Sequence, residues 1–144
     1  MTLSELKKHL ADDPFARSLG IRLIELEPGH ARTEMPAEQG KNNFFGTTHG
    51  GALFSLADAT AGMAITACGV RAVTASASIH YLRPVTGGTI CCESRLVHLG
   101  SRTGVMETTL KDDCAHTVAI VSLSFIITDT LSPDGTCALE LPGE

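Results

Sequence analysis

The sequence predicts an α+β fold in which an antiparallel β-sheet wraps around one long buried helix, with a short helix at the N-terminus. Three observations predict it: one apolar stretch of helical composition at 51–68, six strand-like segments, and turn residues between most of these segments. A strand order β-β-α-β-β-β-β with one apolar helix is satisfied when the sheet curves around that helix. No repeat or linker divides the chain, so residues 1–144 are expected to form a single domain with its core at about 14–129 and an irregular tail at 130–144.

The N-terminal elements are a helix and a hairpin. Thr2 and Glu5 have the spacing of a capping box, and leucines follow at roughly helical intervals, so a helix should end near Asp12 or Asp13. Two strand-like segments at 21–26 and 31–35 flank the turn sequence Glu27-Pro28-Gly29-His30. We expect these two segments to pair.

The stretch 51–68 is composed almost entirely of apolar and small residues, and Gly69 follows as a helix stop. A helix that is apolar all round is typical of a buried one. At the usual rise per residue it would be about 25 Å long, enough to cross a sheet.

Four strands should follow the helix. Residues 73–81 alternate apolar and polar side chains, as in a half-buried strand, before Arg83-Pro84 breaks the pattern. Further strands are expected at 89–99, 103–111 and 116–128, with Gly100-Ser101 and Asp112-Asp113 at the turns. Short turns predict an antiparallel meander for the last three strands.

Composition and charge exclude several classes of function. The chain is 43% hydrophobic and 19% charged, which suits a folded core, and its net charge of −5 argues against nucleic acid or an anionic membrane as partner. The start has no apolar stretch behind basic residues, so we expect a cytoplasmic protein. Five cysteines without C-x-x-C spacing predict free thiols rather than a disulfide framework or a zinc site.

Asp58 is the only carboxylate or basic side chain between residues 50 and 70. An unpaired buried carboxylate costs several kcal/mol, so Asp58 should be partnered, reached by water in a cleft, or neutral. Such a group is a candidate for catalysis. The structural alternative, that Asp58 lies on an exposed edge of the helix, stays open at this point.

Gly50 and Gly51 stand where the apolar helix begins. Without side chains, they let a ligand approach the backbone, and the N–H groups of a helix start favour a negative charge. This predicts an oxyanion site. The alternative is a tight turn from loop to helix with no further role.

The stretch N-F-F-G-T-T-H-G-G-A-L-F-S-L-A-D closely resembles the signature of the PaaI-like acyl-CoA thioesterases of the hotdog superfamily. The residues at the family's spacing are Asn43, Gly46, His49, Gly50, Gly51 and Asp58. The resemblance continues through Tyr81-Leu82-Arg83-Pro84 and the segment 98–104, and it covers about residues 14–129. It implies the hotdog fold and hydrolysis of a small aryl- or medium acyl-CoA thioester.

The resemblance also implies roles for single residues. Asp58 would act as general base on water or as direct nucleophile, and the N–H of Gly50 would stabilise the oxyanion. His49 would orient the loop or the carbonyl, Asn43 would position water or the acyl group, and Thr74 would assist near the carboxylate. The phosphates of coenzyme A are expected at Arg83, His98 and Arg102. The remaining predicted substrate contacts are Tyr81, Gly100, Ser101 and Thr103.

Such enzymes place the site between two subunits. The resemblance therefore implies a homodimer with Asp58 and Gly50 from different chains, assembled into a homotetramer, and no metal or other cofactor beyond the coenzyme A of the substrate. The chain departs from the family in having Asn42 where many members have His. Phe44 and Phe45 are bulky where small residues are common, and we expect one of them to shape the acyl pocket.

Two other functions fit the same fold. A hotdog enoyl-CoA hydratase or dehydratase would use His49 and Asp58 as a proton-transfer pair, although a helix-start H-G-G followed by a mid-helix Asp favours a thioesterase. A non-catalytic acyl-CoA-binding module would typically lack the carboxylate and carry a DNA-binding segment, and neither holds for this sequence.

Overall fold

The computed structural model describes residues 2–131 of the 144-residue chain. The elements, in chain order, are α1 Leu3–Ala11, α2 Pro14–Ser18, β1 Arg22–Glu27, β2 His30–Pro36, a 3-10 turn Gln39–Lys41, α3 Gly50–Thr66, β3 Val70–Tyr81, β4 Thr89–Leu99, β5 Thr103–Lys111 and β6 Thr117–Thr130. The predicted tail lies outside the described residues from 132 onward, and residue 130 belongs to β6. Among the described residues, no helix is long and apolar enough to span a membrane.

The six strands form one antiparallel sheet in the order β1-β2-β4-β5-β6-β3. One face of this sheet packs against α3, which contacts all six strands. Buried and exposed positions alternate along β5 and through most of β4 and β6, as expected for strands with one face on the core. The predicted wrapping of the sheet around one long helix and the β4-β5-β6 meander are both confirmed.

The core of the molecule lies between α3 and the sheet. Leu56, Ala57 and Ile65 of α3 are fully buried there. The helix also buries Thr60, whose hydroxyl donates to the carbonyl of Leu56 at 2.7 Å and lies 2.6 Å from the hydroxyl of Thr33 on β2. Because both hydroxyls are hydrogen-bonded, this polar pair is accommodated in the core without an unsatisfied group.

The N-terminus contains one expected helix and one unexpected helix. In α1, the Thr2 hydroxyl accepts from the N–H of Glu5 and the Glu5 carboxylate accepts from the N–H of Thr2, so the predicted capping box is confirmed. The short helix α2 was not predicted, because five residues are too few to show helical periodicity. Its start is fixed by Pro14 and by Asp13, whose carboxylate accepts from the N–H of Ala16 at 2.9 Å.

The β1–β2 turn needs a glycine. Gly29 has φ +75, and a Cβ at this position would lie 2.9 Å from the Cβ of Leu96 on β4. Only glycine combines a positive φ with so close an approach of a neighbouring strand. The turn read from the sequence is therefore confirmed.

The burial predicted for β3 was wrong. The strand was expected to be half-buried, but none of its residues is buried, and Val73 is 54% exposed. Its position explains this: β3 is an edge strand that pairs only with β6. A long exposed edge leaves a row of N–H and C=O groups open to pairing with another chain.

Candidate active site

The start of α3 leaves one backbone N–H group unpaired. His49 is the N-cap, and its Nδ1 accepts from the N–H of Gly51 at 2.9 Å. The N–H groups of Ala52 and Leu53 donate to the carbonyl of His49. Within residues 2–131, the N–H of Gly50 has no hydrogen-bond partner. It is therefore the donor at this helix start that remains for a ligand.

Tyr81 at the end of β3 lies against Gly50. Its hydroxyl donates to the Gly50 carbonyl at 2.8 Å, and a Cβ on Gly50 would lie 3.1 Å from the same hydroxyl. Partial shielding from water raises the pKa of the Tyr81 phenol further above neutral pH, so the hydroxyl keeps its proton and donates it. Gly50, Tyr81 and Arg83 line one open cavity of about 320 Å³. The structure thus brings these three predicted residues together.

The loop before α3 is organised by Asn43. Its Oδ1 accepts from the N–H groups of Phe45 and Thr47, and its Nδ2 donates to the Thr47 hydroxyl at 2.9 Å. The side chains of Phe44 and Phe45 project into solvent, 90% and 77% exposed, with ring centroids 4.1 Å apart. Neither phenyl ring lines the cavity beside Asp58 of the same chain.

The Asp58 carboxylate is held by Thr74. The Thr74 hydroxyl of β3 donates to Asp58 Oδ1 at 2.7 Å. Asp58 is half-buried and opens into a cavity of about 320 Å³, so in the single chain it is reached by water rather than enclosed. Of the possibilities left open by the sequence, a partnered carboxylate in a cleft is the one observed.

A β-bulge places two predicted residues on the same face of β3. Thr74 and Tyr81 are seven residues apart, so a regular strand would direct them to opposite faces. Both nevertheless contact α3, because the pairing of β3 with β6 shifts between Thr74 and Ser76. Simple alternation in the sequence gives no sign of this bulge.

The cavity beside Asp58 includes residues that sequence reasoning missed. These residues are Leu10 of α1, Phe15 of α2 and Met63 of α3, which supply apolar walls. The apolar spacing of α1 identified Leu10 only as a helix residue. The contribution of Phe15 depends on α2, which was not predicted.

Asp58 and Gly50 of one chain are too far apart to act on the same atom. Both lie on α3, eight residues apart, and this separation corresponds to about 12 Å along the helix axis. A carbonyl that accepts from the Gly50 N–H is therefore beyond the reach of Asp58 in the same chain. His49 is one residue further from Asp58, about 13.5 Å along the helix axis, so these two residues do not form a proton-transfer pair within one chain.

The β4–β5 turn lies near the other end of α3. Five residues predicted to contact coenzyme A lie in and beside this turn. Gly100 is half-buried, and the other four are exposed: His98, Ser101, Arg102 and Thr103. Gly104, which follows, packs closely on Ile65, where a Cβ would meet its side chain at 2.6 Å. Ile65 is about 22 Å along the helix from Gly50. Within one chain, this turn is separate from the Gly50 and Arg83 region.

A second cluster of polar side chains lies in the β5–β6 turn. Asp112, Cys114 and His116 bring ligand-type atoms within 4.8 Å of one another. Asp112 Oδ1 already accepts from the backbone N–H groups of His116 and Cys114, and the bond from His116 contributes most to lowering the pKa of this carboxyl. These hydrogen bonds stabilise the turn, and the turn explains why the three side chains lie close together.

Comparisons with known proteins support a thioester-cleaving enzyme. The sequence model of the thioesterase superfamily matches residues 45–119. The acyl-coenzyme A thioesterase PaaI of Escherichia coli is 34% identical over 110 residues, which cover 76% of this chain and 79% of that protein.

Solved structures show the same architecture. The structure of the PaaI protein from the phenylacetic acid degradation operon of Escherichia coli matches with a TM-score of 0.82 at 30% identity, covering 89% of this chain and 97% of that chain. A protein of Streptococcus mutans, solved with acetyl-CoA bound, matches with a TM-score of 0.76 at 28% identity, covering 78% and 91% of the two chains.

Proposed function

Since this chain belongs to the thioesterase superfamily, has the hotdog fold and is a thioester hydrolase, we propose that it hydrolyses a small aryl- or medium acyl-CoA to the free acid and coenzyme A. The observation that carries the proposal is the Asp58 carboxylate, bonded to Thr74 and open to a largely apolar cavity. The related Streptococcus mutans protein binds acetyl-CoA, which supports the same class of ligand.

The proposed site is formed by two chains. Asp58 and Gly50 of one chain are about 12 Å apart along the helix. A thioester carbonyl that contacts both groups must therefore take Asp58 from one chain and Gly50 from another. A two-fold axis makes two such sites at once. The exposed edge strand β3, which carries both Thr74 and Tyr81, supports pairing of two β3 strands as the interface. Further pairing of such dimers into a homotetramer is part of the proposal.

The proposed chemistry uses one carboxylate and one oxyanion donor. Asp58 either removes a proton from water, which then attacks the thioester carbonyl, or attacks that carbonyl itself to form an anhydride that water opens. In both routes the carbonyl oxygen gains negative charge, which the unpaired Gly50 N–H stabilises. The C–S bond then breaks and coenzyme A leaves as a thiolate, a group that needs no strong general acid.

The neighbouring residues have supporting roles in this proposal. Thr74 orients the carboxylate, His49 holds the start of α3 through its bond to Gly51, and Asn43 holds the loop that leads to it. The second N–H of Asn43 Nδ2 remains available for a water or an acyl oxygen. Tyr81 fixes the carbonyl of Gly50 and so the direction of its peptide.

The phosphates of coenzyme A are assigned to exposed basic residues. Arg83 lies beside Gly50. His98 lies at the end of β4, and Arg102 lies in the turn that follows, with Gly100, Ser101 and the first residue of β5, Thr103. Guanidinium groups suit phosphate oxygens because they donate in pairs. The proposal needs no metal or other cofactor, and it places the enzyme in the cytoplasm, where acyl-CoA is made and used.

The proposal is tested by thiol release from a panel of aryl and aliphatic acyl-CoA thioesters, using the wild type and Asp58→Asn. Loss of the carboxylate should lower turnover by at least about a hundredfold, since one positioned acid or base contributes that much or more. Matching circular dichroism and gel filtration of the two proteins would show that the fold is retained.

The outcomes separate the rival functions. Turnover by Asp58→Asn at the wild-type rate would overturn the assignment of Asp58. Conversion of an enoyl-CoA without thiol release would favour the hydratase. Tight binding of acyl-CoA with no turnover by either protein would favour the non-catalytic binding module.

A further inference from the structure

We propose that the acyl group bound by this enzyme is uncharged and apolar, that it lies beside Asp58 under Phe15, and that Gly62 sets its maximum size. The inference rests on the proposed thioesterase function and identifies two specificity-determining residues. Neither residue belongs to the sequence signature on which the resemblance to the family depends.

The cavity beside Asp58 has the lining of an acyl-binding pocket. Its walls include Leu10, Phe15 and Met63, and its volume is about 320 Å³, the size of a small ligand site. The two ionisable side chains that line it, Asp13 and Asp58, are both carboxylates. An acyl chain that ends in a carboxylate would face like charges and no basic side chain on this chain's side of the cavity, which costs free energy.

Gly62 leaves space on the floor of this cavity. It lies on α3 four residues after Asp58, on the same face of the helix. A Cβ at Gly62 would meet no atom within 4 Å apart from the adjacent residues and backbone of its own helix, and its φ is not positive. The backbone therefore does not require glycine at this position. A glycine in a helix interior is unfavourable relative to alanine, so its presence here has another reason, and the open space beside the carboxylate supplies one.

Phe15 is a large aromatic side chain held at the rim of the same cavity. Its backbone is fixed in α2, which begins at Pro14 and is capped by Asp13. Its side chain is nevertheless 59% exposed. An aromatic face next to a cavity favours a flat or apolar group inside it. An acyl group placed between Phe15 and the helix face at Gly62 would cover part of this exposed ring.

The test measures kcat/KM for a series of acyl-CoA substrates with the wild type, Gly62→Ala, Gly62→Leu and Phe15→Ala. The series runs from acetyl- through hexanoyl- and octanoyl- to phenylacetyl-CoA, and includes glutaryl-CoA as a charged analogue close in length to hexanoyl-CoA. Gly62→Leu should lower kcat/KM for the larger acyl groups by about tenfold or more while changing acetyl-CoA much less, since filling a pocket discriminates by size. Gly62→Ala should produce a smaller effect in the same direction.

Phe15→Ala should weaken the discrimination between phenylacetyl- and acetyl-CoA, with the change in KM rather than kcat. Glutaryl-CoA should be a poorer substrate than hexanoyl-CoA for the wild type.

Gly87→Leu is the matched control for Gly62→Leu. Gly87 lies in the exposed loop between β3 and β4, and it also has open space around its Cβ position and no positive φ.

Two results would overturn this inference: an equal change in kcat/KM for all substrates in Gly62→Leu, or a wild-type preference for glutaryl-CoA over hexanoyl-CoA. In either case, thiol release by the wild type would still support the proposed function. If the wild type releases no thiol from any substrate, the proposed function fails and the inference fails with it. Thermal melting of each variant identifies a loss that comes from unfolding.

Discussion

The N–H of Gly50 can be removed without disturbing the helix that carries it. Proline is accepted at the first position of a helix, and His49 before it already has the extended conformation that a following proline requires, with φ −60 and ψ 138. We predict that Gly50→Pro lowers turnover by about 100- to 1,000-fold relative to Gly50→Ala, as for other oxyanion donors.

Gly50→Ala is the matched control, because both variants place a Cβ against Tyr81 and only the proline lacks the N–H. The measurement is kcat for the best acyl-CoA substrate. Equal activity in the two variants would show that this N–H does not stabilise the oxyanion.

The cysteines should differ sharply in reactivity. Cys92 is fully buried, and this burial raises the pKa of its thiol to about 12, whereas Cys114 is exposed. A raised pKa leaves almost no thiolate at mildly alkaline pH, and the thiolate is the reactive form. We predict that iodoacetamide labels Cys114 and leaves Cys92 unlabelled until the protein is denatured.

Mass spectrometry of the digested protein would locate the label. Labelling of Cys92 in the native protein at the rate of Cys114 would contradict the burial of β4 against α3. The result also matters for the activity assay, because exposed protein thiols react with the reagents that detect coenzyme A.

Among the elements, α3 and the loop before it contain two glycines with opposite expected effects. Gly62 is in the helix interior with open space around it, whereas Gly46 has open space but φ +85. We predict that Gly62→Ala stabilises the protein by about 0.5–1 kcal/mol. Gly46→Ala should destabilise it by about 1–2 kcal/mol, because an L-residue is strained at positive φ.

Urea denaturation measures the free energy of unfolding for both variants. Since neither new methyl group meets a neighbour within 4 Å, the comparison isolates backbone conformation from packing. Destabilisation by Gly62→Ala would contradict the open cavity beside Asp58 in the described structure.

The predictability of each element followed from how local its signals are. The capping box of α1, the apolar run of α3 and the turn-bounded strands β4 and β5 are recorded in neighbouring residues, and their positions were predicted closely. The five-residue α2 is too short for its sequence to show helical periodicity. The bulge after Thr74 exists only in the pairing of β3 with β6, so neighbouring residues do not indicate it.

The candidate site was predicted in part for the same reason. The motif identified Gly50 and Asp58, but their separation along α3 and the pairing of Asp58 with Thr74 are properties of the folded chain. Phe15 reaches the cavity through α2, so no pattern near the motif could identify it.

At the scale of the whole molecule, the exposed edge of β3 supports the proposed pairing of two chains, each of which supplies part of the proposed site. Edge strands of soluble proteins are usually short, charged or covered, whereas β3 has 12 residues and ends in an exposed Tyr81. In the proposed dimer, antiparallel pairing of the two β3 edges would join the sheets and bring the Asp58 of each chain, next to Thr74, toward the Gly50 of its partner, next to Tyr81. The central claim is therefore that each site takes Asp58 from one chain and the Gly50 N–H from its partner.

Subunit complementation tests this claim most directly. Each variant alone, Asp58→Asn or Gly50→Pro, lacks one half of every proposed site and should be inactive. The two variants are unfolded, mixed in equal amounts and refolded together. Random pairing in a symmetric dimer gives mixed dimers with one intact site, so activity should recover to about a quarter of the wild-type value. Activity that stays at the level of the separate variants, while gel filtration shows mixed dimers, would contradict a site shared between two chains.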